Sequence, residues 1–329
     1  MFREVQNLRA IAILAVILIH VTAKFTAVGS LTYVTGTALV LDSAVQFAVP
    51  LFICISGFVL TIKNYPLSTF YFKRGSLILP AYLLFSVIYA AYFHHPILES
   101  ILNANGSYHL PFFAAIFGLY LFYPVIMRLY FGKITLLVSL LIQLYFWQIP
   151  YAFWLQKLPI WLYYWTWTIF YFVLGIYVCK NYVKFQKTLE SLPMIWLILP
   201  ALALWSLMAL RWLNIYYGVR FIQTVSLNPL IDPALYVIQF GIAYKFASRE
   251  ISQVLKNVGD YSFGIYLIHV LILEETVQVL SQYNVDCTDF IFYIILFVFT
   301  FFISYVVVSM WDRVRELLKT TNDRSRGYF

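Results

Sequence analysis

Charge is scarce in this sequence: Lys, Arg, Asp and Glu make up 11% of 329 residues, while 63% are hydrophobic, and mean hydropathy is +0.82. Soluble domains carry about 25% charged residues, so a soluble enzyme or free binding module is excluded. Cysteine is sparse as well. Cys54, Cys179 and Cys287 lie far apart without CxxC spacing, so neither a disulfide framework nor a zinc site is expected, and all three read as structural. There is no Gly-rich phosphate loop, no GxSxG elbow and no metal-spaced cluster of His, Cys, Asp or Glu. Serine or cysteine hydrolysis and metal chemistry therefore have no support. Repeats, low-complexity tracts and polar segments long enough for a second domain are also missing.

What fills the chain is a series of apolar runs near the ~18–20 residues that cross a bilayer. Read by hydropathy they predict about ten spans: Leu8–Ala27, Ser43–Ile62, Gly75–Phe93, His109–Tyr130, Ile134–Pro150, Trp161–Val178, Leu192–Leu210, Pro229–Phe246, Val258–Leu280 and Asp289–Val308. The first has no small-residue cleavage site and reads as a retained span, not a leader. The expected fold is an all-α polytopic membrane protein of the cell membrane, with one transmembrane domain over residues 1–312 and a basic cytoplasmic tail, frayed near the headgroups, over 313–329. The formal charge of +8 would suggest nucleic acid in a soluble protein, but its distribution points elsewhere. Of the 22 lysines and arginines, all but Lys24, Lys157, Arg211 and Arg220 fall on one side if the N-terminus is cytoplasmic. That bias puts both termini in the cytoplasm and makes the basic excess a topology device, with no nucleic-acid partner expected.

Within the first span, "NLRAIAILAVILIHV" carries Arg9 at its mouth and His20 in its middle. At ~1.5 Å per residue His20 lies about 16 Å further along, near the bilayer centre, while Arg9 stays at the cytoplasmic edge. An imidazole there is costly unless satisfied; it either packs against a neighbouring span or serves as a base reachable from a cavity. His269 falls at a similar depth in the ninth span, as a structural hydrogen-bonding group or a substrate contact, and Glu274 and Glu275 follow toward the outside as carboxylates that orient a histidine, bind a sugar hydroxyl or mark the interface. Ser56 and Gly57 make a small notch in the second span, for which close helix packing is the leading role. The aromatic stretch "WLYYWTW", Trp161 to Trp167, is an interfacial belt or a sugar-stacking platform; His94 and His95, adjacent and ~100° apart on a helix, read as interfacial.

Several of these residues stand in a pattern that resembles the acyltransferase-3 family of membrane acyltransferases. Arg9 and His20 match its R-x10-H motif, "FAVPLFICISGFVL" its apolar-SGF segment, and "FYFKRGSLILPAY" its basic cytoplasmic loop. "YHLPFFAAIFGLYLFYP" is similar to the HLWF-x-GLYL-P segment of the branch that O-acetylates surface polysaccharides, while "FYFVLG" and "GDYSFGIYLIH" fit the sixth and ninth spans. The likeness runs from residue 7 to about residue 310. It departs in two places: Leu77 stands where the basic loop commonly has a second arginine, and Pro111 where the branch has tryptophan.

The resemblance implies an O-acyltransferase that takes the acyl group of cytoplasmic acyl-CoA, with acetyl-CoA the expected donor, to a hydroxyl of an extracytoplasmic or lipid-linked polysaccharide. It needs no bound cofactor, and acyl-CoA is a co-substrate. On this reading His20, as base or acyl carrier, and Arg9 are the catalytic residues, Arg9 also joining Lys73 and Arg74 at the donor's phosphates with Ser56 nearby, and His109, Trp161 and Glu274 serve the acceptor. His269 supports. The partners are then acyl-CoA, a surface carbohydrate and membrane lipid. The rival reading is a polysaccharide or lipid-sugar exporter without acyl transfer.

Overall fold

The structure, a computed structural model, describes residues 3–26, 31–62, 66–147, 160–217, 228–249, 253–283 and 290–326. Thirteen helices occur among them, and no strand: α1 (Arg3–Thr26), α2 (Tyr33–Val45), α3 (Ala48–Ile62), α4 (Leu67–Tyr92), α5 (Ile97–Asn103), α6 (Pro111–Arg128), α7 (Lys133–Trp147), α8 (Ile160–Lys180), α9 (Tyr182–Ser191), α10 (Ile195–Tyr217), α11 (Asn228–Ala247), α12 (Gln253–Gln282) and α13 (Phe290–Arg326). Only helices satisfy every backbone group inside lipid without a closed barrel, so composition and helix content agree. Seven stretches among the described residues are long and apolar enough to cross a membrane, and α7 is a shorter apolar helix. Helices α8 and α11 occupy the other predicted spans. Side chains such as Leu84, Leu199 and Phe302 stay exposed, each 58%, which suits a lipid-facing surface.

Two boundaries differ from the sequence reading. The second span was expected from Ser43, but helical structure begins ten residues earlier, where Thr32 caps α2: its side chain accepts from Thr35 N at 3.1 Å, and Thr35 Oγ1 accepts from Thr32 N at 2.8 Å. This reciprocal cap satisfies two otherwise orphaned donors. At the other end, α13 runs through the basic stretch to Arg326.

The helices fall into two compact units. The first gathers α1, α2, α12 and α13. Ala10, Ile13, Ile17 and Val21, spaced three or four apart on one face of α1, are fully buried. Near the start of α12, a Cβ at Gly259 would overlap the carbonyl oxygen of Gln6, so the two backbones meet there as only glycine allows. Gln6 Nε2 donates to Asp260 Oδ1 at the same level, and Asn7 Nδ2 donates to Ala247 O at 2.8 Å.

The second unit holds α3 to α9 with most of α10 and α11. Its tightest crossing joins α3 to α8, where a Cβ on Gly57 would overlap Phe172 O and one on Gly175 would overlap Cys54 O. Helices α4 and α6 run antiparallel: the Tyr71 hydroxyl donates to Leu121 O at 2.9 Å, Tyr82 packs on Phe113 and Phe117, and Tyr89 packs on His109. One end of this unit therefore collects Lys73, Arg74, Arg128, Lys133 and Lys180, at the start of α4 and α7 and the end of α6 and α8. Two internal cations are paired: Arg211 Nη1 donates to both carboxylate oxygens of Asp232 at 3.0 and 3.1 Å, and Lys245 Nζ donates to the carbonyls of Leu189 and Leu192 at the end of α9.

Candidate functional site

In the first unit, α1 and α12 lie side by side and bring His20 and His269 together, with ring centroids 5.2 Å apart and planes inclined at 32°. Counting residues from the basic ends of the two spans placed them at one depth; the structure adds that they face each other. His269 is fully buried. Its Nδ1 lies 2.8 Å from Tyr266 O and 3.2 Å from Ile265 O on its own helix. A carbonyl only accepts, so Nδ1 carries the hydrogen and Nε2 of the neutral ring is an acceptor. The arrangement thus sets a nitrogen lone pair on a locked imidazole next to a second, half-buried imidazole in a low-dielectric seam.

Polar groups flank this pair on both sides. Toward the N-terminal end of α1, Arg9 Nη1 donates to Gln6 Oε1 at 3.3 Å, and Gln6 in turn reaches Asp260. Beyond the histidines, the Lys24 ammonium donates to Glu274, a half-buried pair. Glu274, expected at the acceptor, is therefore engaged by Lys24. The neighbouring Glu275 is exposed and borders an apolar groove with Thr276, Phe299 and Ile303.

Asp42 was missed by sequence reasoning. It is 7% exposed on α2, with Oδ1 accepting from Thr22 Oγ1 at 3.1 Å and Oδ2 from Gln46 Nε2 at 2.6 Å. Thr22 sits two residues past His20, so the carboxylate anchors α2 beside that part of α1. A lone acid in the apolar run "TALVLDSAV" was the available signal.

The remaining expected residues lie in the second unit. Ser56 Oγ donates to Phe52 O at 2.9 Å on its own helix, next to the Gly57–Gly175 crossing. Arg74 lies over the Tyr120 ring, 6.0 Å from its centroid, and Lys73 is exposed. His109 is buried, with Nδ1 3.0 Å from Ser107 Oγ and its ring edge-on to Tyr89 at 4.8 Å. The side chain of Trp161 lies outside the described residues. Further along the same aromatic stretch, Trp165 packs on Phe122 at 4.9 Å and Trp167 on Trp147 at 5.5 Å. Cys54 and Cys179 are free thiols, and Cys287 lies outside the described residues.

Residues 2–309 match the acyltransferase domain that defines the acyltransferase-3 family. The chain belongs to that family. As an acyltransferase-3 member it is an acyltransferase and a multi-pass membrane protein, for which the plasma membrane is the expected location. It is also similar to three proteins of Staphylococcus aureus, from strains MSSA476, MW2 and Mu50 / ATCC 700699, each named "Probable poly-beta-1,6-N-acetyl-D-glucosamine export protein". Identity to each is 27% over 299 residues, covering 83% of this chain and 82% of the relative. No solved structure matches the chain.

Proposed function

We propose that the protein is an O-acyltransferase that moves an acyl group, acetyl by preference, from cytoplasmic acyl-CoA to a hydroxyl of an extracytoplasmic or lipid-linked polysaccharide. The observation that carries the reading is the pairing of His20 with His269 at 5.2 Å in the seam of α1 and α12. His20 takes the proton of the acceptor hydroxyl as its oxygen attacks the thioester carbonyl; collapse of the tetrahedral intermediate expels coenzyme A thiolate, which recovers that proton from the imidazolium. In the two-step variant His20 attacks the thioester itself and hands the acyl group to the hydroxyl. His269, with Nδ1 held by the Tyr266 carbonyl, offers Nε2 as an acceptor that fixes the tautomer and orientation of His20.

On the sequence pattern, the donor's phosphates are assigned to Lys73 and Arg74 of the second unit as charge-assisted pairs, with Ser56 at the small notch of α3, and Arg9 of the first unit is assigned a catalytic role. Glu274, held by Lys24, marks the end of the seam from which the acceptor is taken to arrive. His109 and the aromatics from Trp161 are assigned to the acceptor side. The test is consumption of acyl-CoA by purified protein in lipid, which should depend on added carbohydrate acceptor and vanish in His20→Ala.

A second reading is favoured by the staphylococcal relatives, whose printed names describe export of a β-1,6-linked N-acetylglucosamine polymer. An exporter would move glycan across sealed vesicles without acyl-CoA turnover, and His20→Ala would leave acyl-CoA levels as they were.

A further inference from the structure

At the end of the second unit opposite its basic residues, the C-terminus of α4, the link from α5 to α6 and the first turns of α8 border an open cleft of about 450 Å³. Phe93, His95, Asn105, Ser107, Tyr108 and Tyr164 line it. No Lys, Arg, Asp or Glu is among its lining residues. Beyond the His95 imidazole, the lining carries no group that could pair with a phosphate, a carboxylate or a cation. What it offers instead is flat ring faces beside an amide, a hydroxyl and phenols. That combination suits an uncharged ring with one apolar C–H face and a rim of hydroxyls.

The cleft is built, not incidental. His94 (φ 58°) and Ala104 (φ 54°) are the non-glycine residues with positive φ among the described residues, and each costs about 1–2 kcal/mol of backbone strain. They stand at the two turns that shape the walls. At the first, His94 N donates to Ala91 O at 3.4 Å and His95 N to Ala90 O at 2.8 Å, closing α4 and returning His95 to stack on Phe93 at 5.9 Å and 26°. At the second, Ala104 ends α5 and begins the link carrying Asn105, Ser107 and Tyr108. Beneath the link lies His109, whose Nδ1 contacts the Ser107 hydroxyl at 3.0 Å while its ring is clamped against the buried Tyr89. His109 is thereby a positioning residue that orients the hydroxyl of Ser107.

We infer that this cleft binds a neutral pyranose unit of the carbohydrate acceptor, with Tyr164 and Tyr108 against the sugar face and Asn105 and Ser107 on its hydroxyls. The assignment rests on the proposed carbohydrate acceptor and adds which surface reads it and that the ring is uncharged.

The experiment uses the full chain in lipid nanodiscs. Binding of neutral oligomers of β-linked N-acetylglucosamine and of glucose, and of a polyuronate of equal length, is followed by saturation-transfer NMR. At least one neutral oligomer should bind and the polyuronate should not. Tyr164→Leu and the exposed-site variant Tyr108→Ala should each weaken binding about tenfold, consistent with ~1–1.5 kcal/mol per aromatic contact, while acyl-CoA affinity stays at the wild-type value. Ser107→Ala and His109→Ala should weaken it by similar factors, and the double variant by no more than either alone. Failure of both neutral oligomers to bind, preference for the polyuronate, or unchanged affinity in Tyr108→Ala and Tyr164→Leu overturns the cleft. Carbohydrate-dependent acyl transfer that survives these variants would also overturn it while leaving the proposed function standing. Sugar binding lost in the variants, in a protein that never turns over acyl-CoA, would uphold the cleft and remove the transferase reading.

Discussion

Lys24 and Glu274 pair four residues beyond His20 on α1 and five beyond His269 on α12. The ion pair therefore ties the two helices together about one turn past the point where the imidazoles meet. Inside a membrane, one charge left without the other is costly, whereas removing both leaves an apolar seam. Lys24→Met or Glu274→Gln alone should lower thermal stability in detergent, by about 1–3 kcal/mol. The double variant should recover more than half of the loss. A double-mutant cycle read by thermal unfolding checks this, and additive losses would show that the pair contributes nothing as a pair.

His269 is expected to act through His20. Replacing it with Gln keeps a hydrogen-bonding side chain but removes the locked lone pair, so kcat for acyl transfer should fall about 10- to 100-fold with the donor KM nearly unchanged. His269→Ala should lose stability as well, because it empties a fully buried site. Steady-state kinetics of the Gln variant, set beside its melting temperature, separate the two effects. A change in donor KM alone would move His269 to the binding of coenzyme A.

How much of this was legible beforehand depends on which physical signal carried it. The all-α membrane class follows from hydropathy, because lipid leaves a long apolar run few options. The common depth of His20 and His269 follows from counting residues at a fixed rise. That they face each other depends on helix rotation, set by contacts such as Gly259 against Gln6 that no single span encodes. Asp42 was passed over because its apolar neighbours concealed a helix starting at Tyr33. His109 was read as the first residue of the fourth span; that two left-handed turns at His94 and Ala104 fold the α5 link over it depends on local backbone geometry that hydropathy does not carry. Trp165 and Trp167 were read as a belt or platform; partners on other helices turned their rings inward, onto Phe122 and Trp147.

The Gly57–Gly175 crossing makes the second unit sensitive to a single methyl group. Gly57→Ala and Gly175→Ala each force a Cβ into a backbone carbonyl, which cannot retreat as a flexible side chain can. Either should cost about 1–3 kcal/mol and broaden the size-exclusion peak in detergent. Gly75→Ala, with nothing within 4 Å of the added carbon, should be neutral or slightly stabilising. Equal behaviour of all three would contradict the packing described.

Arg74 is assigned to the donor by its place at the basic end of the second unit. Arg74→Glu should raise the apparent KM for acyl-CoA about tenfold or more while kcat changes little, and the penalty should shrink as ionic strength rises. Arg74→Lys should recover part of the affinity, since it keeps the charge and loses the planar fork. A KM that ignores both charge and salt would remove Arg74 from the donor site.

The central claim is that His20 does the chemistry, and acyl-CoA turnover by the His20→Ala variant tests it most directly. Purified wild-type and variant protein in lipid nanodiscs would be compared for acceptor-dependent release of coenzyme A, with acyl-CoA affinity measured in parallel. The account predicts a fall of at least ~100-fold in turnover with donor affinity preserved. Wild-type turnover in His20→Ala would contradict it.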